Sequence, residues 1–124
     1  MTQAIERKGD HLELVALEGQ QLSAVTFVQD YVQLHFDGPM ITAITRPIVV
    51  AGDGSRAFGA PGYRDQLCGL ISESVTIAYV RVGECLQIDF RNSMSLVVSL
   101  KSDAYRAAEA VIFSDGKGDK WAVW

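Results

Sequence analysis

The chain has little cysteine, little histidine and no long apolar run, and each shortage removes a class of protein. Two cysteines among 124 residues cannot build the dense framework that staples small secreted domains. His11 and His35 each stand alone in their segments, and Cys68 and Cys85 are 17 residues apart, so the clustered ligands of a zinc site are missing. No metal and no cofactor is expected. No stretch approaches the roughly 20 apolar residues that cross a bilayer. The first ten residues carry Glu6, Arg7, Lys8 and Asp10 where a signal peptide would have its apolar core. The expectation is a cytoplasmic protein with no membrane partner.

Basic residues are also short. Eleven Lys and Arg against fifteen Asp and Glu leave a net charge of −4, which argues against nucleic acid as a partner, since that needs a basic footprint. The shortage is local: no Lys or Arg lies between Lys8 and Arg46, while Asp10, Glu13, Glu18, Asp30 and Asp37 all do. That stretch reads either as a solvated acidic surface or as a patch that steers a basic protein partner.

Catalytic patterns are missing as well. No Gly-x-Ser-x-Gly elbow exists. Cys68, His35 and Asp37 could form a nucleophilic set only on paper, because His35 and Asp37 read as neighbours on a wet strand while Cys68 reads as the buried side of a helix. The glycine-rich stretch 52–59 lacks the spacing of a phosphate-binding loop. The turn from Asp115 to Asp119 lacks the closing glutamate of a calcium loop. A non-enzymatic protein is expected.

What is present is a core and a repeat. Hydrophobic residues make up 48% of the chain, enough for one packed domain at this length. Leu22 and Ser23 match Val75 and Thr76 at an offset of 53, and the run Val32–Phe36 matches Leu86–Phe90 at an offset of 54. Met40 is then set against Met94. Each unit, about 10–45 and 63–100, reads as a short helix followed by three strands, with a glycine-rich linker at 50–62. Asp10 and Glu13 have capping-box spacing and Gly19 is a helix stop. In the second unit Leu67, Leu70 and Ile71 make a helical stripe. Val32, Leu34 and Phe36 alternate with Tyr31, Gln33, His35 and Asp37, and Leu86, Ile88 and Phe90 with Cys85, Gln87, Asp89 and Arg91, the period of half-buried strands. A helix over 102–110 and a hairpin from Val111–Phe113 to Trp121–Trp124 complete the chain. The predicted class is α+β, strand-dominated: two pseudo-repeated helix–three-strand antiparallel meanders plus a C-terminal helix and hairpin.

The segments Phe27–Gly38, Pro61–Leu70 and Trp121–Trp124 resemble a family of short bacterial proteins catalogued as a domain of unknown function. The resemblance implies a bacterial, cytoplasmic, single-domain protein, and it carries over no catalytic residue and no cofactor. In size and charge the chain is also similar to immunity proteins that neutralise bacterial toxins.

Two features invite a functional reading. Tyr31, Gln33, His35 and Asp37 line one face of a strand, either as ordinary solvent-facing positions or as a recognition surface. Trp121 and Trp124 fall on opposite faces of the last strand, so one packs inside and the other either covers the sheet edge or docks on the linker, the reading the composition favours, or serves as an exposed anchor. The expected function is a protein-binding domain of immunity-like inhibitor type, which presents Glu13, Glu18, Asp30, Tyr31, Gln33, His35 and Asp37 to a basic toxin partner. The alternatives are a small-molecule module with a pocket between the two repeats, and a structural homodimer.

Overall fold

The computed structural model describes residues 4–104, 109–116 and 121–124. Period-two alternation dominates it. Val32, Leu34 and Phe36 are buried, as are Leu86, Ile88 and Phe90, while the residues between them face outward. The first meander is β3 (Ala24–Val28), β4 (Tyr31–His35) and β5 (Met40–Ala43). The second is β8 (Val75–Arg81), β9 (Cys85–Phe90) and β10 (Ser95–Ser99).

The two meanders exchange their completing hairpins. From β5 the chain crosses to β6 (Ile48–Ala51), which pairs with β10, and turns back as β7 (Gly54–Arg56). From β10 it crosses to β11 (Val111–Ser114), which pairs with β5, and turns back as β12 (Trp121–Val123). The sheets therefore read β12-β11-β5-β4-β3 and β8-β9-β10-β6-β7. A further hairpin, β1 (Glu6–Lys8) and β2 (His11–Glu13), adds to the β8 edge and makes the second sheet seven-stranded. All pairings are antiparallel. The inner faces of both sheets supply a single buried cluster, from Leu14 through Val98 to Phe113, the arrangement of a sandwich.

The bonding obeys a twofold relation at the offset of 53. Leu22 N–H donates to Glu73 O at 3.0 Å, and the shifted pair, Val75 N–H to Gln20 O, is 2.9 Å. Gly19 N–H donates to Val75 O, and Ser72 N–H to Leu22 O. Gln21 and Ser74, themselves 53 apart, form an isolated antiparallel bridge. A residue bonded to its own counterpart lies on the symmetry axis. Ser23 Oγ and Thr76 Oγ1 donate to His35 O and Asp89 O, each at 3.0 Å. The ladder places Met40 opposite His35 and Ser95 opposite Asp89. Met40 thus corresponds to Ser95, not Met94, because the second turn is one residue longer.

Among the described residues strand accounts for 48% and helical turns for 10%, which corrects the expected α+β class to two antiparallel sheets with one short helix there. Where the Asp10–Gly19 helix was expected, β2 is followed by a 3-10 turn, Val15–Leu17. Pairing with β8 outweighs the capping signal, and Leu14 N–H extends it by donating to Ala78 O at 2.7 Å. The one α-helix among the described residues is α1 (Tyr63–Cys68). It ends at Cys68, which is exposed, and Ile71 beyond it is exposed as well; Leu67 and Leu70 are buried. The described ends of the expected C-terminal helix are not α-helical either. Ser102–Ala104 is a single 3-10 turn, residues 105–108 lie outside the described residues, and Ala110 joins the sheet by donating to Trp124 O at 2.6 Å. The stretch 50–62 contains the end of β6 and all of β7, the edge of the seven-stranded sheet.

Candidate binding surface

Because side chains alternate along each strand, burial of Val32, Leu34, Ile41, Ala43, Val111 and Phe113 turns their neighbours outward. The outer face of the five-stranded sheet is thereby assembled row by row. Ala24, His35, Met40 and Ser114 lie abreast; Thr26, Gln33, Thr42, Ile112 and Val123 form the next row; Val28 and Tyr31 face each other beyond it. None of these side chains is a carboxylate, ammonium or guanidinium. His35 Nε2 lies 3.2 Å from Thr26 Oγ1, and Gln33 Nε2 donates to Thr42 Oγ1 at 3.4 Å.

The seven-stranded sheet differs at equivalent positions. The row that contains Gln87, the counterpart of Gln33, runs Glu6, Glu13, Tyr79, Gln87 and Val97. Asp89, the counterpart of His35, is held by Gln87 Nε2 at 2.8 Å and Ser95 Oγ at 2.7 Å. Arg81 stacks on Tyr79 at 5.1 Å. One face is charged, and the other is uncharged.

Tyr31, Gln33 and His35 therefore stand together on the uncharged face. Asp30 and Asp37 occupy the turns at either end of β4, roughly 20 Å apart at a strand's ~3.3 Å per residue. Glu13 and Glu18 are not part of this surface. Glu13 lies in β2 on the other sheet, 4.0 Å from Lys8 Nζ, and Glu18 follows the 3-10 turn. Glu18 Oε2 is shut from solvent without a partner. Burial first, and then the charge of Glu13, push the Glu18 carboxyl above its ordinary value. Trp124 is half-buried against the core, and the Trp121 side chain lies outside the described residues.

A second cluster was not foreseen. Arg46, Arg56 and Arg64, the whole basic complement between Lys8 and Arg81, converge on the loop before α1, where Phe58 is 42% exposed. The scarcity of basic residues in that half of the chain was the one available signal. Among the described residues, no three of His, Cys, Asp and Glu gather closely enough to hold a metal ion, and no helix is long and apolar enough to cross a membrane.

No protein-family model matches the chain, and no curated protein or solved structure is significantly similar to it. The resemblance to short bacterial proteins gains no support from these comparisons.

Proposed function

We propose that this is a non-enzymatic, cytoplasmic protein-binding domain that docks a partner on the outer face of its five-stranded sheet. The observation that carries the reading is the absence of charge across two full rows of that face, beside a charged opposite sheet. Depletion of charge with an aromatic anchor is the composition of an interface centre. Tyr31 is the anchor, and Gln33 and His35 supply polar contacts. Asp30 and Asp37 flank the face and steer a basic partner, as an immunity-like inhibitor would steer a toxin domain, and occlusion is the mechanism. Glu13 and Glu18 contribute to the long-range field only.

Placing a photocrosslinking residue at Gln33, and in a second variant at its counterpart Gln87, tests the reading in the host cell. Adducts to a basic protein from Gln33 and none from Gln87 are expected. Adducts to a second copy of the chain, or from Gln87 alone, would overturn it. With the partner in hand, the association rate should fall steeply with salt, since steering is screened beyond about 8 Å at physiological ionic strength. Reversing Asp30 and Asp37 to Lys should slow association more than it speeds dissociation.

A further inference from the structure

We propose a second site, separate from the sheet face, in which Arg46, Arg56 and Arg64 bind the phosphate or carboxylate group of a small ligand whose apolar part rests on Phe58. The three arginines come from three different elements. Arg46 lies on the β5–β6 connection, Arg56 ends β7, and Arg64 is the second residue of α1. The fold brings them to one loop. The Arg46 guanidinium lies 4.0 Å from the Phe58 ring centroid. Arg64 sits over the same ring at 5.6 Å and over Phe27 at 5.8 Å. Arg56 packs so closely on Gly62 that a Cβ there would meet its Nη1 at 2.9 Å. Beside Arg64 opens a cavity of about 290 Å³, lined by Gly59 to Asp65, near the lower limit of small-molecule sites.

The charges are left under-compensated. Arg56 has Asp53 at 3.9 Å, but neither Arg46 nor Arg64 forms an ion pair among the described residues. Arg46 Nη2 donates to Gln29 O at 2.6 Å, while its Nε is shut from solvent with no acceptor. Asp65 lines the cavity beside Arg64 and Asp53 lies by Arg56, so three guanidinium charges face two carboxylates, a local excess of +1 in a chain of net charge −4. In Arg46 only Nη1 is left for a ligand, since Nη2 is bonded and Nε is buried; Arg64, over the aromatic rings, is the guanidinium that can grip an oxyanion by two hydrogen bonds. All three positions are arginine, none lysine, as bidentate recognition requires. The exposed Phe58 ring supplies an apolar floor beside the anion.

The test titrates the full chain with pyrophosphate, and separately with citrate, at constant ionic strength, following the arginine Nε–H resonances by NMR. Saturable shifts confined to Arg46, Arg56 and Arg64 are expected. Arg64→Gln should weaken binding at least tenfold, and Phe58→Ala should weaken a phosphate ester of phenol more than pyrophosphate. Lys101→Gln, an equal change of charge at an exposed residue, should leave binding unchanged. Tighter binding of pyrophosphate assigns the site to phosphates, and tighter binding of citrate assigns it to carboxylates. Non-saturable shifts with both anions, or equal losses from Arg64→Gln and Lys101→Gln, would overturn the proposal.

Discussion

Gly19 and Ser72 occupy the same place in the two halves of the molecule, and both have φ of 80°. Glycine adopts that left-handed backbone freely, whereas an L side chain is strained there by about 1–2 kcal/mol. Allowing for the greater freedom of glycine in the unfolded chain, Ser72→Gly should stabilise the protein by about 0.5–1 kcal/mol in urea unfolding. Gly19→Ser should destabilise it by a similar amount. Tyr63 works by a different route. Its hydroxyl donates to Pro47 O at 2.5 Å, tying α1 to the β5–β6 connection, and burial pushes its pKa up to about 12. Tyr63→Phe leaves that carbonyl unsatisfied and should cost about 1–3 kcal/mol. An acid whose folded pKa exceeds its unfolded value near 10 holds its proton more tightly when folded. Its contribution is therefore complete below pH ~10 and is lost as pH rises toward 12. The alkaline limb of a stability–pH curve should flatten in Tyr63→Phe, and an unchanged limb would assign that loss to other groups.

Strand positions could be read from residues 31–36 and 85–90 because a two-residue period is a local property, legible wherever one face is buried. The first helix was misread because its signals are local too, and they lost to a distant strand. The segment ending at Leu14 pairs with the β8 edge, while the corresponding segment ending at Leu67 forms α1 and leans beside β3. One position in the fold is filled by a strand in one half and a helix in the other, and each covers an edge that would otherwise recruit foreign strands. The β3 edge needs the cover, since Ala24–Val28 has neither charge nor proline. Leu67→Ala, at a side chain of 0% exposure, should cost about 2–5 kcal/mol. By loosening α1 it should also raise concentration-dependent association in sedimentation above that of the native chain. Destabilisation without association would show that α1 does not shield β3. The candidate surfaces were legible to different depths for the same reason. Tyr31, Gln33 and His35 share a strand, so their common face follows from alternation. Glu13 lies on the opposite sheet, and Arg46, Arg56 and Arg64 meet only through the crossing of hairpins, which no local pattern encodes.

That crossing governs the behaviour of the whole molecule. The sheet built on β3, β4 and β5 lacks its last two strands until β11 and β12 arrive from the end of the chain, and the sheet built on β8, β9 and β10 waits for β6 and β7 from the first half. Neither half can bury its own apolar face. Val32, Leu34 and Ile41 need Val111 and Phe113, while Leu86, Ile88 and Leu96 need Val49. The axis bonds at residues 19–22 and 72–75 likewise form only between halves. Cutting the chain in the exposed loop at Gly59 should therefore give fragments 1–59 and 60–124 that are each unfolded alone. Mixed in equal amounts, they should reassemble with the native spectrum, because every lost contact can be remade between chains while the cost is one association step. Circular dichroism of each fragment and of the mixture checks this. A fragment that folds alone would mean that its sheet is stable without the exchanged hairpin, and the hairpins would then be additions to two independent units. Fragments that stay unfolded when mixed would mean that covalent linkage through 57–62 is itself needed to bring the halves into register.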